Sequence, residues 1–486
     1  MFTPLLDALI FFTLMTPSVG LMGRKVGCER VAVAAYATST FIFSVTLIPI
    51  FYSQVLWDSV PVASGNPEQS HIEADGLSLF MATIYLFIGV TSCLFSIREI
   101  ERGNVSGYYT VLLAMITAMI GVAFSGDLFT LFIFWEGMCI CSYTLVAFRK
   151  ERWESIEASY KYLIMSSAGS IMILYALSFL YGLTGTLNIS YLAMSLAEAE
   201  KNIWVHIALV MLIAGFGLQA GVVPFHMWLP DALMAPPSSV SAILSAGAEK
   251  TGIYCLLKVF LTIFAPMRGI WQPTLAVLAV LTMFVGNLSA LLQDNVKRLL
   301  AYSTIANTGY ILLGLAIGSH RALTGSLFHI LNHAVTTALL FLCAGAFIDK
   351  ARTGSLRELA GIRRTMPVTG TIFIIGTLSL TGIPPLNIFW SEMTIVTAAV
   401  EAGMPMLSLL MVVNLVLSAA YCLRMIQTVA VKKETSRSKR AKEAPLLMLT
   451  PILTLGFLSV LIGVHPSPFQ AFAEAAITSL LSRWNL

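Results

Sequence analysis

The chain has 486 residues, 57% of them apolar and only 11% charged, with a net charge of +4. A water-soluble domain carries about a quarter charged residues, so this composition excludes a soluble globular protein. No nucleic-acid-binding motif is present, so nucleic acid is not an expected partner. Apolar stretches near the ~20 residues a bilayer-spanning helix needs recur along the whole length. Spans are expected at 4–22, 31–52, 77–97, 107–125, 128–148, 156–181 and 204–223. They continue at 239–265, 271–292, 299–318, 323–348, 369–390, 404–430 and 445–464, and the chain ends soon after. The expected fold is therefore an all-α integral membrane protein of about fourteen transmembrane helices. Its opening residues, Met1-Phe2-Thr3-Pro4, carry no basic n-region, so the first span is expected to remain as a helix.

The cysteines (Cys28, Cys93, Cys139, Cys141, Cys255, Cys343, Cys422) are scattered and form no CxxC pair. They read as small apolar helix residues, so neither an iron–sulfur centre nor any other cofactor is expected in this chain. Any redox chemistry belongs to partners.

Basic residues set orientation in membrane proteins. Arg24, Lys25 and Arg30 lie between spans 1 and 2; Arg98 and Arg102 between 3 and 4; Arg149, Lys150 and Arg152 between 5 and 6. Lys297 and Arg298 lie between spans 9 and 10; Lys350, Arg352, Arg357, Arg363 and Arg364 between 11 and 12. Lys432, Lys433, Arg437, Lys439, Arg440 and Lys442 lie between 13 and 14. The opposite side has only Lys201, Arg268, Arg321 and Arg483. The basic side is expected to be cytoplasmic, with both termini outside a prokaryotic plasma membrane. The 432–442 run reads either as an ordinary cytoplasmic loop or as a contact with anionic lipid.

Lys161, Lys250, Lys258, Arg424, Glu136, Glu249 and Glu392 all fall inside spans. A charge at the bilayer centre costs roughly 2.5–3.5 kcal/mol even on the lenient scale. These groups should face the bundle interior, pair, or contact water, either as an ion path or as interhelical ion pairs. Glu136, Lys250 and Glu392 lie deepest and are the expected path residues. Lys161 and Arg424 lie near span ends, where snorkelling competes. Glu249 points about 100° from Lys250 on a helix, which suits a packing partner. His329 and His333, four residues apart on span 11, suit a proton relay, a hydrogen-bonded packing role or, lacking a third ligand, less readily a metal.

Span 7 runs into Gln219-Ala220-Gly221-Val222-Val223-Pro224-Phe225-His226, and span 12 into Leu380-Thr381-Gly382-Ile383-Pro384-Pro385. Proline inside a helix removes a backbone bond and breaks or kinks it. Freed backbone at membrane depth survives only when buried or lining a cavity. The breaks stand five spans apart, an odd offset that suits inverted repeats around an ion site.

At these residues the chain resembles the antiporter-like subunits of respiratory complex I, membrane-bound hydrogenases and the D subunit of Mrp-type cation/proton antiporters. The resemblance rests on Asp75-Gly76-Leu77-Ser78, Phe134-Trp135-Glu136-Gly137, Lys161-Tyr162, Val223 to Ala232, Pro236 to Ala242, Lys250 to Tyr254, Asp294 to Ser303, Asn332-His333-Ala334 and Gly382 to Pro385. The Pro236–Ala242 form is most similar to the hydrogenase and Mrp branch. The resemblance implies two inverted five-helix repeats, at 107–265 and 266–430, between an N-terminal part (1–106) and a C-terminal part (431–486). It also implies that Glu136, Lys161, Lys250 and Glu392, with His226, His329 and His333 between them, carry protons or sodium. Three positions depart from it. Gln219 stands where the family has a lysine, Thr337 where many members have one, and Asn307 where a histidine is frequent. The implied function is an ion-translocating subunit of a redox-driven complex with an impaired first half-channel. Its implied partners are other membrane subunits, peripheral iron–sulfur subunits and lipids. The alternatives are the D-type subunit of an Mrp antiporter and a non-pumping structural subunit.

Overall fold

The structure, a computed structural model, describes residues 3–26, 28–57, 72–100, 103–198 and 202–483, with side chains described over 6–26, 28–45, 72–100, 103–196 and 202–482. Arg102 and Lys201, and the side chain of Arg483, lie outside the described residues.

The bilayer core offers no water to backbone groups, so a segment crossing it must satisfy them internally, as a helix does. The first helices are α1 (Thr3–Lys25), α2 (Glu29–Trp57), α3 (Gly76–Glu99), α4 (Val105–Phe124), α5 (Leu128–Val146) and α6 (Trp153–Thr184). A short α7 (Ile189–Glu198) leads to α8 (Ile203–Gln219), α9 (Leu229–Met234), α10 (Ser238–Ile243) and α11 (Glu249–Thr262). Then come α12 (Arg268–Leu291), α13 (Val296–Ile317), α14 (His320–Ala351), α15 (Pro367–Leu380), α16 (Asn387–Glu401) and α17 (Pro405–Ile426). The chain closes with α18 (Ser436–Arg440), α19 (Leu446–Val464) and α20 (Ser467–Arg483). Among the described residues ten helices are long and apolar enough to cross a membrane, and α8 and α15 are shorter apolar helices.

The polarity runs inside out, as the bilayer requires. Glu249, Lys250, His329, His333, Asn287 and Asn414 are completely buried, while Leu14, Val210, Met227, Val416 and Phe457 face outward. Small residues let backbones approach, as they do in membrane bundles. A Cβ on Gly286 of α12 would stand 2.5 Å from the Ala306 nitrogen of α13. One on Gly215 of α8 would stand 2.9 Å from the Gly169 carbonyl of α6.

Helix ends are met by side chains. Asp127 accepts from the Phe129 and Thr130 amides at 3.0 and 2.8 Å, opening α5. Asn295 does the same for Lys297 and Arg298 at 3.0 and 3.2 Å, opening α13. The orphan carbonyls at helix C-termini attract cations. Lys258 on α11 donates to the Ala123 and Ser125 carbonyls at the end of α4, at 3.2 and 2.8 Å. Arg424 on α17 donates to the Leu291 and Gln293 carbonyls at the end of α12, at 2.8 and 2.6 Å. These two cations thus serve as helix caps.

Three details differ from the sequence expectation. Span 12 breaks where expected, between α15 and α16, but α16 runs on to Glu401, past the expected end at 390. The segment expected as one span at 239–265 contains a π turn, Leu244–Ala248, between α10 and α11. Finally, α20 follows α19 and packs on α3 and α14. Phe472 meets Phe80 at 4.9 Å between ring centroids, and His320 Nε2 lies 3.1 Å from Thr478 Oγ1.

Candidate functional site: a buried polar line

The two breaks set the geometry. After α8, the Ala220, Gly221, Val222 and Phe225 amides donate to the Phe216, Leu218, Gly217 and Val222 carbonyls at 3.0, 3.1, 2.8 and 2.7 Å. After α15, Thr381, Gly382, Ile383 and Leu386 donate to Thr377, Ser379, Leu378 and Ile383 at 3.1, 2.9, 3.3 and 3.0 Å. The second set is the first moved along by one constant interval, the one from Gly221 to Gly382. Both turns need a positive φ there, +69° at Gly221 and +73° at Gly382, a conformation glycine adopts without cost. The same interval pairs His226 with Asn387 and Asp231 with Glu392.

The groups freed by each break find partners, as burial demands. At the first, Trp228 Nε1 donates to the Leu218 carbonyl at 2.9 Å, and Thr282 Oγ1 accepts from the Val223 amide at 3.1 Å. At the second, Asn332 Nδ2 donates to the Asn387 carbonyl at 2.9 Å, and Asn387 Nδ2 to the Asn332 carbonyl at 3.1 Å. Asn387 Oδ1 also accepts from Ser459 at 2.8 Å and from Ser379.

Around the first break, Gln219 does not reach Glu136. Its Nε2 donates to the Tyr162 hydroxyl at 2.8 Å, and its Oε1 lies 3.9 Å from Cys139 Sγ. Tyr162 stacks on Trp228 at 3.9 Å. Glu136 Oε1 is buried without a hydrogen-bond partner, and so is His226 Nδ1. Lys161 turns away from this group: its side chain is 47% exposed and pairs with Glu157 at 2.7 Å and Asp231 at 2.9 Å. Arg298 of α13 reaches the same Asp231 at 3.5 Å.

At the centre, Lys250 Nζ donates to Glu249 Oε2 and Oε1 at 2.9 and 3.1 Å, with both side chains wholly buried. Thr308 of α13 donates its hydroxyl to the same carboxylate. One turn away, the hydroxyls of Ser245, Thr304 and Thr337 lie 3.0–3.4 Å apart. Thr337 is thus part of an uncharged hydroxyl cluster. Farther along, α10 starts beside a cavity of about 440 Å³ on the basic face, lined by Glu99, Arg149, Arg152, Lys297 and Arg352. Glu99 caps that start, accepting from the Ser238 and Ser239 amides at 2.6 and 3.0 Å.

Beyond Lys250 the line continues through α14. Both ring nitrogens of His333 are buried without a partner, and its ring lies 6.1 Å from that of His329. His329 is held on both sides, with Nδ1 3.0 Å from Ser391 Oγ and Nε2 3.0 Å from Asn307 Oδ1. Asn307 thus supports the histidine. Glu392, next to Ser391, is buried, touches Gly382, and makes no hydrogen bond or ion pair among the described residues. Among the described residues no three metal-binding side chains gather.

The structure thus buries Lys250 with Glu249 on α11, His333 and His329 one turn apart on α14, and Glu392 next to the Ser391 that holds His329; Glu136 Oε1 and His226 Nδ1 are buried without partners, and Lys161 lies outside at the rim. Sequence reasoning gave Glu249 no place in this line and passed over Tyr162, Thr308 and Ser391.

Residues 125–418 match the family described as NADH:quinone oxidoreductase/Mrp antiporter, TM. The chain is 31% identical over 420 residues to F(420)H(2) dehydrogenase subunit N of Methanosarcina mazei, covering 84% of this chain and 85% of that one. It is 30% identical over 415 residues to the D subunit of the Na(+)/H(+) antiporter of Alkalihalophilus pseudofirmus, covering 83% and 82%. A chain of the membrane-bound sulfane sulfur reductase, an archaeal respiratory membrane complex, superposes with a TM-score of 0.89 at 26% identity, covering 98% and 97%. A chain of the Mrp complex from Dietzia sp. DQ12-45-1b shares the fold, with a TM-score of 0.83 at 23% identity over 97% of each chain.

A Cβ added to Gly382 would collide with Glu392 Oε2, on a backbone whose φ disfavours any side chain. Gly382→Ala is expected to destabilise the purified protein by about 2 kcal/mol, read as a lower melting temperature in detergent. Gly217→Ala, whose Cβ has 3.5 Å to Val222, is the control. Equal melting of the two variants would contradict the contact.

Proposed function

The chain belongs to the NADH:quinone oxidoreductase/Mrp antiporter transmembrane family, and we propose that it is the ion-translocating, antiporter-like subunit of a redox-driven respiratory complex, moving protons or sodium. The observation that carries this reading is the set of buried polar groups on facing helices: the Ser245–Thr304–Thr337 hydroxyls, the Glu249–Lys250 pair, His333 without a partner, His329 held by Ser391 and Asn307, and Glu392. A relay needs groups that change protonation or partner in turn, and a buried lysine and unpartnered histidine supply them. The fit to a respiratory membrane complex over nearly the full length favours the redox-coupled assembly. Likeness to the Na(+)/H(+) antiporter chain favours an Mrp-type role as the second reading.

Fourteen crossings, ten of them in two inverted five-helix units at 107–265 and 266–430, belong to the same proposal. The repeated backbone bonds at the breaks support it. So do the matching caps, in which the last helix of each unit supplies a cation, Lys258 or Arg424, to the C-terminus of the first. The basic face is cytoplasmic in this reading, and its cavity beside Ser238 is the inlet. The partners would be neighbouring membrane subunits and peripheral iron–sulfur subunits. Lipids would surround the outward apolar faces.

The first half of the line is impaired in this reading. Gln219 holds Tyr162 and supplies no cation, and Glu136 Oε1 has no partner. Lys161 serves Asp231 at the edge, instead of the path.

Two experiments bear on this reading. In the intact complex, Lys250→Met should abolish coupled ion uptake into vesicles, while Glu136→Gln should leave it within about twofold. A large loss from Glu136→Gln in an assembled complex would show the first half-channel to be live; full uptake with Lys250→Met would sink the path itself. For orientation, single cysteines placed in 432–442 should resist a membrane-impermeant thiol reagent in whole cells and react in inverted vesicles. Labelling from outside would reverse the assignment.

A further inference from the structure

The Glu249–Lys250 pair asks for an explanation beyond the proposed path. Adjacent helix residues point about 100° apart and do not normally face each other. Here the pair follows a π turn, in which the Glu249 amide bonds the Leu244 carbonyl five residues back. Such turns occur mostly as single insertions and often at functional sites. Lys250 Nζ touches both carboxylate oxygens, the Thr308 hydroxyl adds a donor, and neither side chain is exposed.

The energetic logic is that of a buried ion pair. Two charges can stay in a low-dielectric interior when each is paired and hydrogen-bonded, but removing one leaves the other stranded. Packing alone would be served as well by two apolar residues of similar volume. On α14, both ring nitrogens of His333 are buried without partners. Glu249 is the partner the Lys250 ammonium holds, and His333 is a buried basic group still without one. Near the first break, Gln219 donates to Tyr162 and Glu136 Oε1 is buried without a partner.

We propose that Glu249 is the counterion that holds and releases Lys250, an ion pair that opens and closes within a single helix. Glu249 acts as a positioning residue. While paired, it holds the ammonium against Thr308. When the pair opens, the ammonium turns toward His333 and the carboxylate is left to Thr308. This inference rests on the path reading above, and the test separates the two.

The intact complex, reconstituted in vesicles, is assayed for coupled proton uptake with a pH-sensitive dye and for sodium uptake with radioactive sodium. Four variants are compared per assembled complex: Glu249→Gln, Glu249→Asp, Lys250→Met and the double variant Glu249→Gln/Lys250→Met. Glu249→Gln should lower uptake on the order of tenfold or more, and Glu249→Asp, which keeps the charge, should recover most of it. A packing role would not distinguish the two. Uptake within about twofold of native in Glu249→Gln, with Lys250→Met inactive, overturns the proposal and leaves the path reading standing. Native uptake in Lys250→Met overturns both. Should Glu249→Gln fail to assemble, recovery of assembly in the double variant supports the pairing, because no stranded charge remains. Continued failure there overturns it.

Discussion

The middle of a bilayer contains no water to complete a hydrogen bond, and every polar choice in this chain answers to that fact. A helix can stop inside the membrane only if the carbonyls and amides it frees are taken up by protein. Trp228, Thr282, Asn332 and Asn387 do this at the two breaks. A charge can remain inside only if it is matched. Lys258 and Arg424 are matched by helix C-termini, and Lys250 by the carboxylate beside it. Once these demands are met, buried titratable groups left without a partner, among them His333, His226 Nδ1 and Glu136 Oε1, stand out as places where something else must be supplied.

Much of this was legible from residue types alone. Long apolar runs gave the helices, the Gly–Pro sequences gave both breaks, and the rarity of intramembrane charge singled out Lys250 and Glu392. Other features lay beyond periodicity. A regular helix puts Glu249 and Lys250 on different faces, and nothing in Leu244–Ala248 announces a π turn. Lys161 and Tyr162 are neighbours on a helix, so only one can face the core; the tyrosine does, because Trp228 stacks on it. The far end of span 12 was set too early, because the polar residues Ser391 and Glu392 interrupt the apolar run while α16 continues to Glu401. The last helix, α20, was hidden by its mixture of apolar and polar residues, which lacks a membrane-span signature.

The three positions singled out from the sequence each hold a neighbour through a neutral group. Gln219 donates to the Tyr162 hydroxyl. Thr337 joins Ser245 and Thr304 in an uncharged cluster. Asn307 holds His329. None of the three supplies a charge, whereas α11 carries a wholly buried ion pair in Glu249 and Lys250.

The two breaks share a backbone but treat their acids in opposite ways. Asp231 sits at the rim between Lys161 of α6 and Arg298 of α13, and its charge is neutralised where it stands. Glu392 has no such neighbours and rests against Gly382, the residue on which its own break turns. One acid is a rivet joining two helices; the other is a finger resting on a hinge. A gain or loss of charge at the rivet is absorbed locally. The same event at Glu392 falls directly beside the glycine on which the second break turns.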